Sequence, residues 1–365
     1  MGRPYPVTGR LLGLDGIRAY AVITVVILHL QLFIRWYYES SPLYSLIWHG
    51  VEIFFVLSGF LITHLLVRER KRFGNIDLKK FWVRRALRIF PLFYLFILCV
   101  VLIGFFLDTN TSLKQILISA IYGFNFTPKS EYNIMLGHTW SLAVEEHFYL
   151  IWPPVLILML KKTRSLQKIL VVLTVFFIGL ELVNNHLMYE TGIGSEYFVE
   201  HWTTSAAVYL LAGCMGGIFI HTEIWEKTFP TSRLNILLTM LFFFGFFVDF
   251  WFSGHPIIVR DFRIIGILAG ILWVVANQDS LLVRAMEWAP IRYIGQVSYG
   301  IYIWQGFYLA TGSYRAPGQE WPLSDSMLGV LLLVITVPIS YHLYEKIFLD
   351  MKKKFQRVSM VDESE

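Results

Sequence analysis

Ten stretches of this chain are apolar enough, and close enough to membrane length, to be read as crossing helices: 17–34, 46–67, 90–107, 141–160, 168–184, 204–221, 234–252, 262–277, 297–312 and 325–345. A spanning helix needs roughly 20 predominantly apolar residues. Backbone amides in lipid must bond within their own segment, so a run of this kind has little choice but to be helical. The composition agrees: 56% of residues are hydrophobic and 16% charged, where a soluble domain carries about a quarter charged residues. The expected fold is therefore all-α and polytopic, with about ten transmembrane helices. No small-x-small cleavage site follows the first apolar run, so it reads as a retained helix rather than a signal peptide. The stretch 114–126, KQILISAIYGFNF, is apolar but short, and is expected to be a half-membrane or interfacial piece.

Lysine and arginine collect on the cytoplasmic side of a membrane protein. With a cytoplasmic N-terminus, only Arg35, Lys114, Lys129, Arg260, Arg263 and Arg315 fall outside, leaving 25 of the 31 basic residues inside. This asymmetry supports both termini being cytoplasmic. It also accounts for the net charge of +5 without a nucleic-acid partner. Residues 1–350 read as a single transmembrane domain, and 351–365 as a short, disordered cytoplasmic tail. Cys99 and Cys214 both sit inside apolar runs, which excludes a disulfide framework and a cysteine-rich zinc site. No P-loop, G-x-G-x-x-G, H-E-x-x-H or G-x-S-x-G motif occurs. No metal or resident cofactor is expected.

Ionisable side chains at membrane depth are costly and mark functional sites by default. Arg18 and His29 are eleven residues apart in the first run. At about 100° and 1.5 Å per residue they share a helix face and stand roughly 16 Å apart along the axis. Asp15 falls near that face and is placed to pair with Arg18. Arg18 either snorkels to the interface or holds a ligand's charge. His29 is either an interhelical hydrogen-bond partner or a general base, for which a neutral imidazole is suited. In the second run His49 and Glu52 share a face, and Ser58-Gly59 forms a small-residue patch where a helix or a ligand can approach. The next inside loop ends in Arg84, Arg85 and Arg88 at helical spacing. Guanidinium forks suit phosphates, although topology bias and anionic lipid also account for basic loops. In HTWSLAVEEHFYLIWPP, 138–154, Ser141, Glu145 and Tyr149 share one face, while Glu146 points roughly 100° away. The pair does not continue as the Glu-Glu-x-x-x-Arg motif of intramembrane CaaX-type proteases, because Leu150 stands at the arginine position. GILAG (266–270) and AGCMGG (212–217) read as helix-packing segments. His186, Glu200 and His201 read as polar loop residues.

Taken together, five stretches resemble the membrane-bound acyltransferase 3 family. They are LDGIRAYAVITVVILH with its Arg-x(10)-His, GVEIFFVLSGFLIT, FWVRRALRIFPLFY, TWSLAVEEHFY and GQVSYGIYIWQ, in the family's order and over nearly the whole chain. One departure is Gln305, where many members carry histidine. No SGNH-type domain, fused in some members, follows the last apolar run. The resemblance implies a multi-pass enzyme of the bacterial inner membrane. It would move an acyl group, usually acetyl, from cytoplasmic acyl-CoA to a hydroxyl of an envelope glycan, an exported polysaccharide or a lipid-linked saccharide. On that reading His29, Glu145 and Glu146 are the catalytic candidates. Arg18, Arg84, Arg85 and Arg88 would take the donor's phosphates, and Asp15, Glu52, Ser141, Tyr149 and Tyr299 would line the substrate path. A carrier or flippase for a glycan or lipid precursor is the reading from another class. An acyltransferase for a small cytoplasmic molecule such as a macrolide is a third.

Overall fold

The structure is a computed structural model and describes residues 10–30, 49–106, 111–163, 165–228, 232–252, 256–309 and 327–357. Thirteen helices of eight or more residues follow one another: α1 (Leu14–His29), α2 (Gly50–Phe73), α3 (Leu78–Phe106), α4 (Leu113–Ala120), α5 (Thr139–Lys162), α6 (Leu166–Tyr189), α7 (Thr203–Phe219), α8 (Ser232–Phe252), α9 (Pro256–Ala276), α10 (Ala289–Gln296), α11 (Ser298–Tyr308), α12 (Met327–Ser340) and α13 (Lys346–Lys353). Among the described residues the only β feature is an isolated bridge between Pro128 and Tyr197. Every one of the ten apolar runs lies on a helix in its described part.

Among the described residues five helical segments are long and apolar enough to cross a membrane: α2, α3, α5, α6 and the stretch Met327–Lys353. The other five runs fall short of that measure for separate reasons. The described part of α1 has 16 residues, about 24 Å at 1.5 Å per residue, against a hydrocarbon thickness of about 30 Å. The α7 and α8 apolar stretches, Thr203–Phe219 and Arg233–Val248, are also shorter than a full span. The first turns of α9 carry Arg260, Asp261 and Arg263, and α11 has 11 residues. The stretch after residue 110 behaves as its length requires. Its helix α4 has eight residues, begins with a capping box between Ser112 and Gln115, and gives way to a 3-10 turn at Phe124–Phe126.

Small residues set the closest helix contacts. A Cβ on Gly59 would stand 2.0 Å from the Leu210 carbonyl oxygen, and one on Gly213 2.0 Å from that of Val56. Side chains there would force α2 and α7 apart. Gly245 and Gly266 bring α8 and α9 together in the same way, so both glycine segments act in packing. Prolines inside α3, α5 and α12 (Pro91, Pro153, Pro154 and Pro338) are accommodated within the bundle. Leu150, Leu158, Val171, Val175, Phe176 and Leu182 point outward, as they should on helices facing lipid.

Two buried cores form. One gathers Val56, Leu57, Phe60 and Leu66 of α2 with Leu210 and Ile218 of α7. The other gathers Leu92, Phe93 and Phe96 of α3 with Leu136 and with Ile303 of α11. Val51, Phe54, Phe90, Trp140 and Tyr299 pack against both. The seam between the two cores holds the candidate site. Residues 351–357, expected to be part of a disordered tail, instead extend α13 and turn back to the end of α2, where Arg357 bonds Glu69 at 3.1 Å; the tail beyond 357 lies outside the described residues.

Sidedness is open to a direct check. In a chain lacking Cys99 and Cys214, a cysteine at Ser130 is expected to react with a membrane-impermeant thiol reagent on intact cells, and one at Ser165 only after lysis. Labelling of Ser165→Cys on intact cells would overturn the assignment of both termini to the cytoplasm.

Candidate active site

A cavity of about 90 Å³ opens on that seam. α5 presents Ser141, Glu145 and Tyr149 to it, as the helical spacing requires, and α1 contributes Arg18. α2 contributes Ser58, α3 Arg85 and Arg88, and α11 Tyr299 and Tyr302. The Ser58 hydroxyl donates to Glu145 Oε1 at 2.6 Å, and Tyr149 reaches the same hydroxyl at 3.4 Å. Toward one end the Tyr302 hydroxyl donates to the His138 carbonyl at 3.0 Å and meets the Ser141 hydroxyl. Tyr299 donates to the Ile89 carbonyl at 2.8 Å, which ties α11 to α3 beside the cavity.

At the other end a second cavity, of about 140 Å³, shares Arg18, Arg85 and Arg88 as a common wall with the first. Arg84, Glu69, Lys352 and Gln356 complete its polar lining. Arg18 pairs with Asp15 at 3.0 Å, and Asp15 also takes Arg10 at 3.3 Å. Arg84 lies 3.5 Å from Glu69. Arg85 rests on the rings of Phe81 and Tyr149, 5.7 and 5.1 Å from their centroids. Arg88 makes no hydrogen bond or ion pair among the described residues. The two spaces are each smaller than a pocket for a compact drug-sized ligand, typically about 300–1,000 Å³.

The other candidates fall elsewhere. Glu146 does not line either cavity; its Oε1 is buried without a partner, on the side of α5 that faces Tyr94 and Tyr122. His29 lies at the end of α1, beyond the lining residues, with Nδ1 buried and the Val25 carbonyl of its own helix as its near polar group. His138 is its electrostatic neighbour, and the His138 ring fills the space beside Gly306. The residues that follow, 31–48, lie outside the described ones. Glu52 is engaged away from the cavity. Its Oε1 accepts from Tyr209 at 2.9 Å and from Arg263 at 3.0 Å, while His49 Nδ1 stands 2.9 Å from its Oε2. A carboxylate held by three partners from α2, α7 and α9 serves packing. Glu52→Gln is accordingly expected to destabilise the fold by about 1–3 kcal/mol in thermal denaturation, with the Michaelis constant for the donor unchanged; an altered constant at normal stability would restore Glu52 to the substrate path. In the loop before α7, His201 stacks on Trp140 with centroids 3.9 Å apart. Burial pushes its pKa down to about 3, so it stays neutral and acts in packing.

Ser58, Tyr302 and Lys352 are among the polar lining residues that went unassigned in the sequence. Ser58 was visible only as half of a small-residue patch. Tyr302 lies in the same motif as Tyr299, one turn further on. Lys352 sits in a lysine run that has no apolar periodicity to orient it.

The family model described as an acyltransferase domain matches residues 11–345. The chain belongs to the acyltransferase 3 family. The O-acetyltransferase OatA of Staphylococcus aureus is 30% identical over 359 residues, covering 91% of this chain and 56% of that protein. The peptidoglycan O-acetyltransferase OatA of Listeria monocytogenes is 31% identical over 310 residues, covering 80% of this chain and 48% of that protein. The chain thus spans about half the length of the curated relatives it matches. No solved structure matches it. Within this acyltransferase 3 chain all five motif stretches contribute to the seam or its walls: Arg18, Ser58, Arg85, Glu145 and Tyr302 each come from a different one.

Proposed function

We propose that this chain is a membrane O-acetyltransferase that takes acetyl from cytoplasmic acyl-CoA and delivers it to a hydroxyl of a cell-wall glycan, with peptidoglycan the acceptor its relatives' names favour. The observation that carries this reading is the shared wall: Arg18, Arg85 and Arg88 border both the outer cation-lined cavity and the inner one that holds Glu145 and Ser58. Arginine forks suit the donor's phosphates, and the narrow inner space suits its pantetheine arm. Glu145, already bonded to a hydroxyl, holds polar groups of that arm in line. His29, at the far end of α1 and on the same helix as Arg18, takes the proton of the acceptor hydroxyl. The oxygen then bonds to the acetyl carbonyl carbon, the carbon–sulfur bond breaks, and the CoA thiolate leaves and collects a proton. The arginine end is the cytoplasmic one by the charge asymmetry of the loops.

The test is incubation of purified protein with acetyl-labelled acetyl-CoA and peptidoglycan fragments. Labelled glycan should form with an equal amount of free CoA. A carrier would release no CoA, and that outcome would replace this reading.

A further inference from the structure

Lys352, Lys353 and Lys354 are consecutive, yet only one of them reaches the arginine cavity. Lys353 is exposed and bonds Asp350 at 2.8 Å, and Lys354 is exposed. Lys352 is half-buried and lines the cavity with Arg18, Arg84, Arg85 and Arg88. The orientation follows from what precedes it. α12 runs into a π-turn at Tyr341–Glu345, and α13 continues from there. A π-turn inserts one residue and turns everything after it by about 100°. In an uninterrupted α-helix Met351 would occupy the position that Lys352 takes.

The segment is also fastened across the cavity mouth. Arg84 donates to the Phe355 carbonyl at 2.8 Å. Arg357 donates to Glu69 and to Asn75, both at 3.1 Å, and stacks 4.5 Å over the Phe73 ring. Among the described residues Glu69 is the only carboxylate lining this cavity, and it is engaged by Arg84, by Arg357 and by the Asp77 amide. Arg85, Arg88 and Lys352 share this space and form no ion pair among the described residues; Glu145 and Glu345 act on the two arginines only at longer range. Like charges gathered in a partly dehydrated space repel one another, and an anion bound among them relieves that repulsion.

We propose that residues 346–357 form a strap that completes the donor site, and that Lys352 binds a phosphate of the acyl donor alongside Arg88. This inference rests on the donor reading above. It adds to that reading a binding residue and a closing element from a part of the chain that the motifs do not reach.

Equilibrium binding of labelled acetyl-CoA to the purified full chain tests it, with four variants. Lys352→Gln should weaken binding about 10-fold, and Lys352→Arg should restore most of the loss, because the charge is kept. Lys353→Gln should bind like the parent. Arg88→Ala reports on the donor reading itself. If Lys352→Gln binds like Lys353→Gln while Arg88→Ala is weakened, the strap has no part in donor binding and the donor reading stands. If Arg88→Ala also binds like the parent, both fall. A Lys352→Gln loss that arginine does not restore would make the residue a packing element and overturn the phosphate contact.

Discussion

Replacing His29 with alanine is expected to slow acetyl transfer by about 10²–10⁴-fold, the range for loss of a general base, with membrane level and thermal stability near those of the parent. The stability half of the expectation follows from the site: the polar neighbour of the ring is the Val25 carbonyl one turn back in the same helix, so truncation breaks no bond to another helix among the described residues. Acetyl transfer to added acceptor, measured beside donor binding, separates the two effects. A variant that binds donor normally and has lost transfer fits a base; one that retains most transfer would remove His29 from the mechanism. Glu145→Gln should lower transfer more than Glu146→Gln. Glu145 lines the cavity and holds Ser58 at 2.6 Å, whereas Glu146 lines neither space. The opposite order would mean that the route runs along the Tyr94–Tyr122 side of α5.

The second large effect concerns the donor. Arg88→Ala is expected to weaken acetyl-CoA binding by about 10- to 100-fold, since a charge-assisted hydrogen bond contributes about 1.5–3 kcal/mol. Arg88 is the most telling arginine because it forms no ion pair among the described residues, Glu145 and Glu345 acting on it only at longer range. Arg18 and Arg84 are already paired with Asp15 and Glu69, so their replacement also disturbs those partners. Arg88→Lys should recover only part of the loss, because an ammonium keeps the charge but not the two-pronged fork. Lys79→Ala, exposed at the start of the same helix, is the control. Binding of Arg88→Ala that matches the control would return the arginine cluster to a role in orienting the chain or meeting anionic lipid.

What the sequence made legible is what depends on one helix at a time. The ten apolar runs gave the helices, the i, i+3 and i, i+4 spacings placed Asp15 beside Arg18, and the same arithmetic put Ser141, Glu145 and Tyr149 on one face apart from Glu146. Features that need two distant segments were not legible. Glu52 looked like a substrate ligand because its partners Tyr209 and Arg263 are 157 and 211 residues away. Lys352 looked like tail because its direction is set by a π-turn, which no periodicity announces. The packing of His138 against Gly306 joins two motifs whose contact neither one encodes alone. The span count sits between these cases, since length decides it and several helices fall near the limit.

The central claim is that one narrow path leads from the arginine end past Ser58 and Glu145, and that the donor's arm lies in it. Ser58 marks the middle of that path. With Cys99 and Cys214 replaced, a Ser58→Cys chain can be treated with a small methanethiosulfonate reagent in the presence of ligands. Acetyl-CoA should slow the modification strongly, while adenosine 3′,5′-bisphosphate, which lacks the arm, should leave its rate nearly unchanged. Equal modification rates with and without saturating acetyl-CoA would contradict the account, because the donor would then bind without entering the cavity that holds Glu145.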